Sequence, residues 1–198
     1  MILQRNFYQR NILVVARELL GKVLVNETAE GVTSGRIVET EAYRGPEDRA
    51  AHSYGGRRTP RNDIMFREKG FAYVYLIYGM YYCVNVTAGD MPGKPEAVLI
   101  RALEPVEGCE LMAKRRGYPK GKAQTLTNGP GRLCMALGIT KAQYGADLTM
   151  PPFYIADAEQ VSSQDIVEAP RVGIDYAGDW KDKPWRFYIK ANSYVSKV

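Results

Sequence analysis

The chain has 198 residues, of which 45% are hydrophobic and 25% are charged, which is the composition of a folded domain and excludes a disordered or fibrous chain. No stretch approaches the roughly 20 consecutive apolar residues of a membrane-spanning helix, and residues 1–10 lack the apolar core of a secretory signal. The net charge of +5 permits attraction to a polyanion without establishing it. We therefore expect one globular domain over residues 1–198.

The N-terminal part is predicted to contain one helix and two strands. Apolar spacing predicts a helix over residues 12–20 that ends at Gly21, because glycine readily takes the left-handed conformation that ends helices. Strands are predicted over residues 22–26 and 35–43.

The predicted strand 35–43 has two distinct faces. Because side chains alternate along a strand, Val38 and Ala42 share one face, while Glu39, Glu41 and Tyr43 share the other. We expect the two carboxylates and the tyrosine to point outward together. Two interpretations of Glu41 remain open at this point: a general base aimed into a cleft, or a glutamate exposed on a half-solvated strand.

Residues 44–70 are predicted to form a long loop, and loops of this length are usually functional or disordered. The loop is rich in basic side chains, namely Arg49, Arg57, Arg58, Arg61, Arg67 and Lys69. Residues 71–87 are predicted to form two strands joined by a turn at Tyr78-Gly79. Asn85 is a polar amide in the otherwise apolar second strand and needs a partner, because an unsatisfied buried amide costs about 1–3 kcal/mol.

The rest of the chain mixes strands and helices. A strand over residues 97–103 places Leu99 and Arg101 on one face. Pro105 suits the first turn of a helix over residues 105–116, with Glu104 and Glu107 at its positive end. A short helix is predicted over residues 130–137, followed by strands over 171–175 and 185–190. This order predicts an α+β fold, a single mixed domain with a largely antiparallel sheet flanked by helices.

Several kinds of chemistry lack support in the sequence. His52 is the only histidine and has no cluster of metal-ligand spacing around it. No nucleophile elbow or phosphate-binding loop is present. The three cysteines, Cys83, Cys109 and Cys134, are widely spaced, and we expect them to be buried, reduced thiols in a reducing compartment. The tyrosines of residues 71–87 could pack the sheet or stack on nucleic-acid bases.

Four long motifs occur in order along the chain: RIVETEAYRGPEDRAAHSYGGRRTPRN, YVYLIYGMYYCVN, LIRALEP and NGPGRLCMAL. Together they resemble the alkyladenine (3-methyladenine) DNA glycosylase family, and the resemblance extends through GDWKDKPWRFYIK, over nearly the whole chain. It implies a single mixed domain built on a curved antiparallel sheet. It also implies an enzyme that flips a damaged purine from duplex DNA and hydrolyses its bond to the sugar.

The resemblance assigns roles to individual residues. Glu41 is expected to activate the attacking water, and Arg101 is expected to help position that water. The remaining assignments concern the base pocket and the DNA. They are Tyr43, His52 and Tyr75 as pocket walls, Asn85 and Leu99 at the pocket edge, Tyr78 as the intercalating residue, and Arg57 and Arg132 as phosphate contacts.

The resemblance also sets expectations for the whole protein. We expect a monofunctional glycosylase without cofactor or metal, a monomer that binds damaged double-stranded DNA in a prokaryotic cytoplasm, associated with the nucleoid. Its substrates are expected to be 3-methyladenine, 7-methylguanine and hypoxanthine. Two alternatives remain: a non-enzymatic lesion-binding nucleic-acid module, which would have no use for Glu41, and a hydrolase of free nucleosides or RNA.

Overall fold

The computed structural model describes residues 1–118, 120 and 123–197, and an antiparallel sheet forms its centre. Eight strands of the described residues belong to this sheet, which curls into a half-barrel. They are β1 (Val23–Thr28), β2 (Gly31–Tyr43), β3 (Ala72–Ile77), β4 (Tyr81–Thr87), β5 (Ala97–Glu107), β6 (Phe153–Ala156), β7 (Ile166–Ala169) and β8 (Arg186–Ile189). The predicted α+β class with a curved, largely antiparallel sheet is confirmed.

The long strand β2 organises the sheet. The main strand order is β3-β4-β5-β2-β1-β6, and β8 pairs with both β2 and β7. β1 pairs with the first part of β2 at residues 31–36, whereas β8 pairs with residues 39–41. Residues 39–41 of β2 therefore lie between β5 and β8, in the interior of the sheet.

Four α-helices lie among the described residues: α1 (Arg5–Tyr8), α2 (Ile12–Glu18), α3 (Cys109–Arg115) and α4 (Pro130–Leu137). The buried apolar side chains of α2 and α4 join the main hydrophobic core, and both helices contact the sheet. Burial of one such large side chain contributes about 1.5–3 kcal/mol, so these faces hold the helices in place. The helix predicted over residues 130–137 is confirmed with the same bounds.

The sheet separates the core from a cavity. Val74, Val84, Val98 and Ile100 belong to the main core, whereas their alternate neighbours on β3, β4 and β5 line the cavity. This follows from the two-residue period of a strand. The strand predicted over residues 97–103 is confirmed and continues to Glu107.

The helix predicted over residues 105–116 is wrong in its first part. Pro105 and Glu107 lie in β5, and helix α3 starts only after Gly108. Pro105 faces Gly35 beside a register shift of the β2–β5 pair, and such irregularities accommodate proline in a sheet. Glu104 and Glu107 are therefore strand residues, and Glu110 is the acidic residue in the first turn of α3.

The strand predicted over residues 171–175 is also wrong. That segment is irregular and leads into a 3₁₀ helix at Asp175–Asp182. The backbone N–H of Val172 donates to the carboxylate of Glu41 at 2.7 Å, so a side chain takes the place of a strand partner. Besides β2, β8 pairs with β7, which sequence patterning missed together with α1 and β6.

Smaller differences concern helix α2, the long loop and the cysteines. α2 ends at Glu18, and Gly21 takes a positive φ of 87° as expected. Residues 44–70 contain three 3₁₀ turns, at Gly45–Glu47, Tyr54–Gly56 and Asp63–Phe66. All three cysteines are free, but Cys109 is exposed, because it begins α3 on the surface.

Replacement of Gly108 by alanine should strongly destabilise the protein. Gly108 has a φ of 75°, and a Cβ atom there would collide with the carbonyl oxygen of Val32. The left-handed conformation and the collision together should cost about 3 kcal/mol or more. The free energy of unfolding from urea denaturation measures this loss.

Gly117→Ala is the matched control for this prediction. Gly117 also has a positive φ, 67°, but a Cβ atom there meets no atom of the described residues within 4 Å. Its substitution should cost only about 1–2 kcal/mol, from the backbone conformation alone. Equal losses of unfolding free energy for the two variants would contradict the destabilising collision with Val32 of β2.

Candidate active site

A cavity of about 330 Å³ opens on the face of β3, β4 and β5 that is turned away from the core. Its size lies within the range of small-molecule pockets, about 300–1,000 Å³. Seven residues that the sequence assigned to a site line it together: Tyr43, His52, Tyr75, Tyr78, Asn85, Leu99 and Arg101. The structure thus gathers into one place residues that are separated by up to 58 positions along the chain.

Glu41 lies behind the cavity wall and is fully buried, with 0% exposure. Its Oε2 accepts a hydrogen bond from the Tyr43 hydroxyl at 2.8 Å, and its Oε1 accepts one from the Val172 N–H at 2.7 Å. Arg101 Nη1 lies 3.4 Å from the same Oε1. Tyr43, Arg101 and Val172 all line the cavity, so the groups that hold Glu41 border the cavity directly.

The expected outward orientation of Glu39 and Glu41 is therefore wrong. Both carboxylates are 0% exposed, because β8 pairs with this stretch of β2 and the segment around Val172 covers Glu41. The two side chains do reach a common partner, since Arg101 contacts both. The interpretation of Glu41 as a solvated surface glutamate is excluded.

Tyr43 connects the carboxylate to the cavity. Its ring carries the Arg171 guanidinium 4.7 Å from the ring centroid. Burial and the Glu41 charge raise the pKa of Tyr43 well above its usual value of 10. The hydroxyl therefore stays protonated and acts as a donor to Glu41.

His52, Tyr73 and Tyr75 form an aromatic group at the cavity. The His52 ring stands edge-on to Tyr75, with centroids 4.7 Å apart, and its Nδ1 lies 2.8 Å from the Tyr73 hydroxyl oxygen. Partial desolvation and the nearby charge of Arg61 lower the pKa of His52 from 6.5 to about 4. His52 is therefore neutral near neutral pH.

Asn85 and Leu99 are cross-strand neighbours in the cavity wall. The Asn85 side chain is buried, and its Nδ2 donates to the Tyr73 carbonyl oxygen at 3.2 Å. This is the partner that the polar residue in an apolar strand required. The hydrogen bond also fixes the direction in which the amide faces the cavity.

Tyr78 lies at the tip of the β3–β4 turn and is 84% exposed. Tyr78 and Gly79 both have positive φ values, 53° and 70°, as a tight hairpin turn requires. Met80 beside it is 64% exposed. The predicted turn is confirmed, and it carries a large aromatic side chain at the mouth of the cavity.

Arg57 and Arg132 lie outside the cavity. Arg57 is an exposed residue of the long loop. Arg132 belongs to the first turns of α4, where its Nη1 donates to Asn128 at 2.6 Å. Arg132 lines a neighbouring cleft together with Arg116 and Lys197.

Sequence patterning missed four groups around the cavity. Glu39 contacts Arg101, Val172 binds Glu41, Arg171 packs on Tyr43, and Tyr176 lines the mouth with 72% exposure. The pair of glutamates in ETEAY was a usable signal for Glu39, whereas no local pattern marks the other three. Within the described residues, no group of three or more His, Cys, Asp or Glu side chains is arranged to hold a metal ion.

Comparison with known proteins points to one family. A family model for methylpurine-DNA glycosylase (MPG) matches residues 6–193. A protein of Desulfitobacterium hafniense (strain Y51) is 56% identical over 200 residues, which cover 98% of each chain. A protein of Clostridium acetobutylicum is 54% identical over 202 residues, and one of Bacillus licheniformis is 54% identical over 191 residues, with at least 94% of every chain covered. These three relatives are provisionally named 3-methyladenine DNA glycosylase.

The single histidine makes the electrostatics of the cavity directly measurable. In protein without a histidine tag, the imidazole resonances in an NMR titration should report a pKa of about 4 for His52 instead of 6.5. Because the folded-state pKa is lowered, the unfolded chain binds the proton more readily. The corresponding stability is complete above pH 6.5 and is lost as the pH falls through about 4.

Arg61→Gln is the control for the electrostatic cause. Removal of a like charge should raise the pKa of His52, since the charge of Arg61 lowers that pKa in addition to desolvation by burial. A titration midpoint near 6.5 in the folded wild-type protein would contradict the predicted desolvation.

Proposed function

The chain belongs to the methylpurine-DNA glycosylase family, and we propose that it flips damaged purines out of duplex DNA and hydrolyses their bonds to the sugar with a water molecule activated by Glu41. Membership makes it an N-glycosylase that acts in the repair of alkylated DNA. The substrate range, the mechanism and the residue roles below are our proposal. The observation that carries them is the buried Glu41 carboxylate, held directly behind an aromatic cavity.

The aromatic walls suit a flipped purine. Tyr43 provides one stacking surface, and His52 with Tyr75 provides the other. Stacking on an aromatic side chain contributes about 1–3 kcal/mol per base, and an alkylated, cationic base gains further cation–π attraction. Because the pKa of His52 is about 4, no imidazolium charge opposes such a base at neutral pH.

The hydrolysis needs a carboxylate near the sugar. As the base departs, positive charge develops on the sugar, and an ionised Glu41 stabilises this charge while it removes a proton from water. Tyr43 and Val172 hold the carboxylate in one orientation, and Arg101 helps to hold the water beside it. The products are a free base and an abasic site in an intact strand.

Lesion selectivity arises in two steps. Alkylated purines such as 3-methyladenine and 7-methylguanine stack strongly and leave readily, whereas neutral hypoxanthine needs more help with departure. The fixed amide of Asn85 obstructs the exocyclic amine of normal guanine. Flipping costs a few kcal/mol and least for damaged or mispaired bases, so selection starts before the base enters the cavity.

Contacts to the DNA lie around the cavity mouth. Tyr78 fills the space that the flipped base leaves, and Arg57 and Arg132 contact phosphates on either side. We propose that the chain acts as a single-domain monomer in a bacterial cell, in line with its bacterial relatives. None of its described helices could cross a membrane.

The described residues of the cavity wall offer no amine nucleophile that would compete with Glu41. Among the described residues that line the cavity there is no lysine, so the proposal includes a monofunctional outcome without strand cleavage. Borohydride would trap a covalent product of a lysine-dependent enzyme. Such a trapped complex would refute this part of the proposal.

Glu41→Gln should abolish base release while DNA binding survives. Because general base catalysis contributes about 10²–10⁴-fold, single-turnover release of 7-methylguanine and hypoxanthine from labelled duplex should fall at least a hundredfold. Each reaction is read before and after alkali, and wild-type strand breaks should appear only after alkali. Free nucleosides carrying the same bases should be poor substrates.

Glu104→Gln is the matched control, because Glu104 is a partly exposed glutamate of β5 that lies away from the cavity. It should retain wild-type release. Equal rates for wild type and Glu41→Gln would remove Glu41 from the mechanism, and no release by wild type would refute the proposed function.

Tyr78→Ala should slow release most where flipping is most costly. With a paired lesion the rate should fall about tenfold, since the vacated space is no longer filled. With a mismatched opposite base the loss should shrink, because unstacking is then less costly. Met80→Ala removes another exposed apolar side chain, next to the same turn, and should change little. Equal losses for paired and mismatched lesions would argue against insertion by Tyr78.

A further inference from the structure

Glu39 is the first carboxylate of ETEAY, and the mechanism above gives it no part. It is 0% exposed, and its Oε1 accepts hydrogen bonds from Arg101 Nε at 3.1 Å and Arg186 Nη1 at 3.0 Å. Its Oε2 accepts one from the backbone N–H of Ser196 at 2.7 Å. A buried charge is costly unless its partners compensate it, so this arrangement is a built feature of the fold.

A bulge in the β2–β5 pair explains how Glu39 reaches Arg101. Glu39 faces Ala102, but Thr40 already faces Ile100, so Arg101 lies at the register shift between them. Bulges next to active sites re-aim side chains. Here the result is that one guanidinium reaches the carboxylates of residues 39 and 41 together.

The contacts of its three guanidinium nitrogen atoms hold Arg101 in one orientation. Nε donates to Glu39, Nη2 donates to Ser196 Oγ at 3.2 Å, and Nη1 is left to face Glu41 Oε1 at 3.4 Å. The guanidinium is planar, so two fixed nitrogens determine the position of the third. Loss of the Glu39 contact would release Nη1 from this position.

Glu39 also compensates the positive charge of two guanidiniums that would otherwise act on Glu41. Arg186 is the register partner of Glu41 on β8, yet its Nη1 contacts Glu39 and the Lys197 carbonyl oxygen. Among the described residues, the one guanidinium contact of Glu41 is the longer one to Arg101. The charges of the two carboxylates, Glu39 and Glu41, thus balance those of the two guanidiniums, Arg101 and Arg186. The closer ion pairs are those of Glu39.

We propose that Glu39 is a positioning residue of the glycosylase reaction. Glu39 orients Arg101 and compensates the positive charge of Arg101, so that Glu41 keeps a basic oxygen for the attacking water. This inference rests on the proposed role of Glu41. Without Glu39, the guanidiniums of Arg101 and Arg186 would both act on Glu41 and make it a weaker base.

Other groups around Glu41 do not titrate in the range that the test uses. Burial raises the pKa values of Tyr43, Tyr75 and Tyr176, and it raises that of Cys83 to about 11. Arginine side chains are not deprotonated in this range. His52 titrates at about 4, below the range.

The test compares single-turnover release of 7-methylguanine by wild type and Glu39→Gln on the same duplex between about pH 5 and pH 8. We expect the plateau rate to fall about tenfold or more and the acid limb of the profile to move to lower pH, since a weaker base is protonated later. The ratio of variant to wild-type rate should therefore rise as the pH falls. A purely structural role would lower the rate by one factor at every pH.

A second variant guards against misfolding of the first. Glu39→Met with Arg186→Met removes the Glu39–Arg186 ion pair, together with the contact from Arg101 to Glu39, and puts apolar side chains of similar volume in place of the pair. Proteins often tolerate such a replacement without loss of stability. Its thermal unfolding should stay near that of the wild type, and the rate loss should persist because Arg101 has lost the contact that orients it. The acid limb should move in the same direction as in Glu39→Gln but by less, because the charge of Arg186 has been removed together with that of Glu39. Glu104→Gln again serves as the control that should match wild type.

Three results would overturn the inference. They are a rate within about twofold of wild type at every pH, a loss by the same factor at every pH, and a failure of both variants to fold. If the wild type releases the base and any of these results is obtained, only the inference about Glu39 fails and the proposed function is retained. If wild type itself releases no base, the proposed function fails and the inference fails with it.

Discussion

The burial of negative charge inside the sheet is the constraint on which the site depends. A carboxylate without solvent is tolerated only with ionic or hydrogen-bonding partners. Glu39 and Glu41 obtain these from β5, from β8, from the Val172 N–H and from the backbone N–H of Ser196. Segments far apart in the chain therefore converge on β2, and their convergence forms one wall of the cavity.

The cavity combines this charge with neutral aromatic walls. Tyr43 belongs to both parts, because its hydroxyl donates to Glu41 while its ring borders the cavity. His52 remains uncharged near neutral pH, since its surroundings lower its pKa to about 4. In the proposed reaction, the negative charge of Glu41 lies where a departing base leaves positive charge on the sugar, and the proposed stacking surfaces carry no charge.

Elements with a strong local signal were predictable from the sequence. Helix α4 begins at Pro130 and ends before Gly138, and the β3–β4 turn lies at Tyr78-Gly79, because proline, glycine and apolar spacing act locally. Prediction was wrong where a residue far away in the sequence determines the local structure. Pro105 is accommodated at an irregularity of the β2–β5 pair, and the Val172 N–H is bound by the side chain of Glu41 instead of a neighbouring strand.

By itself, the sequence determined the fold class, the alternation that turns Leu99 and Arg101 to one face, and the family through its ordered motifs. Only the tertiary structure decided that Glu41 is buried, that Glu39 shares Arg101 with it, and that Arg171 and Tyr176 adjoin the cavity. The physical reason is that periodicity and turn residues act between neighbours in sequence. Burial, the charge around a carboxylate and the pKa of His52 are set by groups that meet only when the sheet curls and its strands pair.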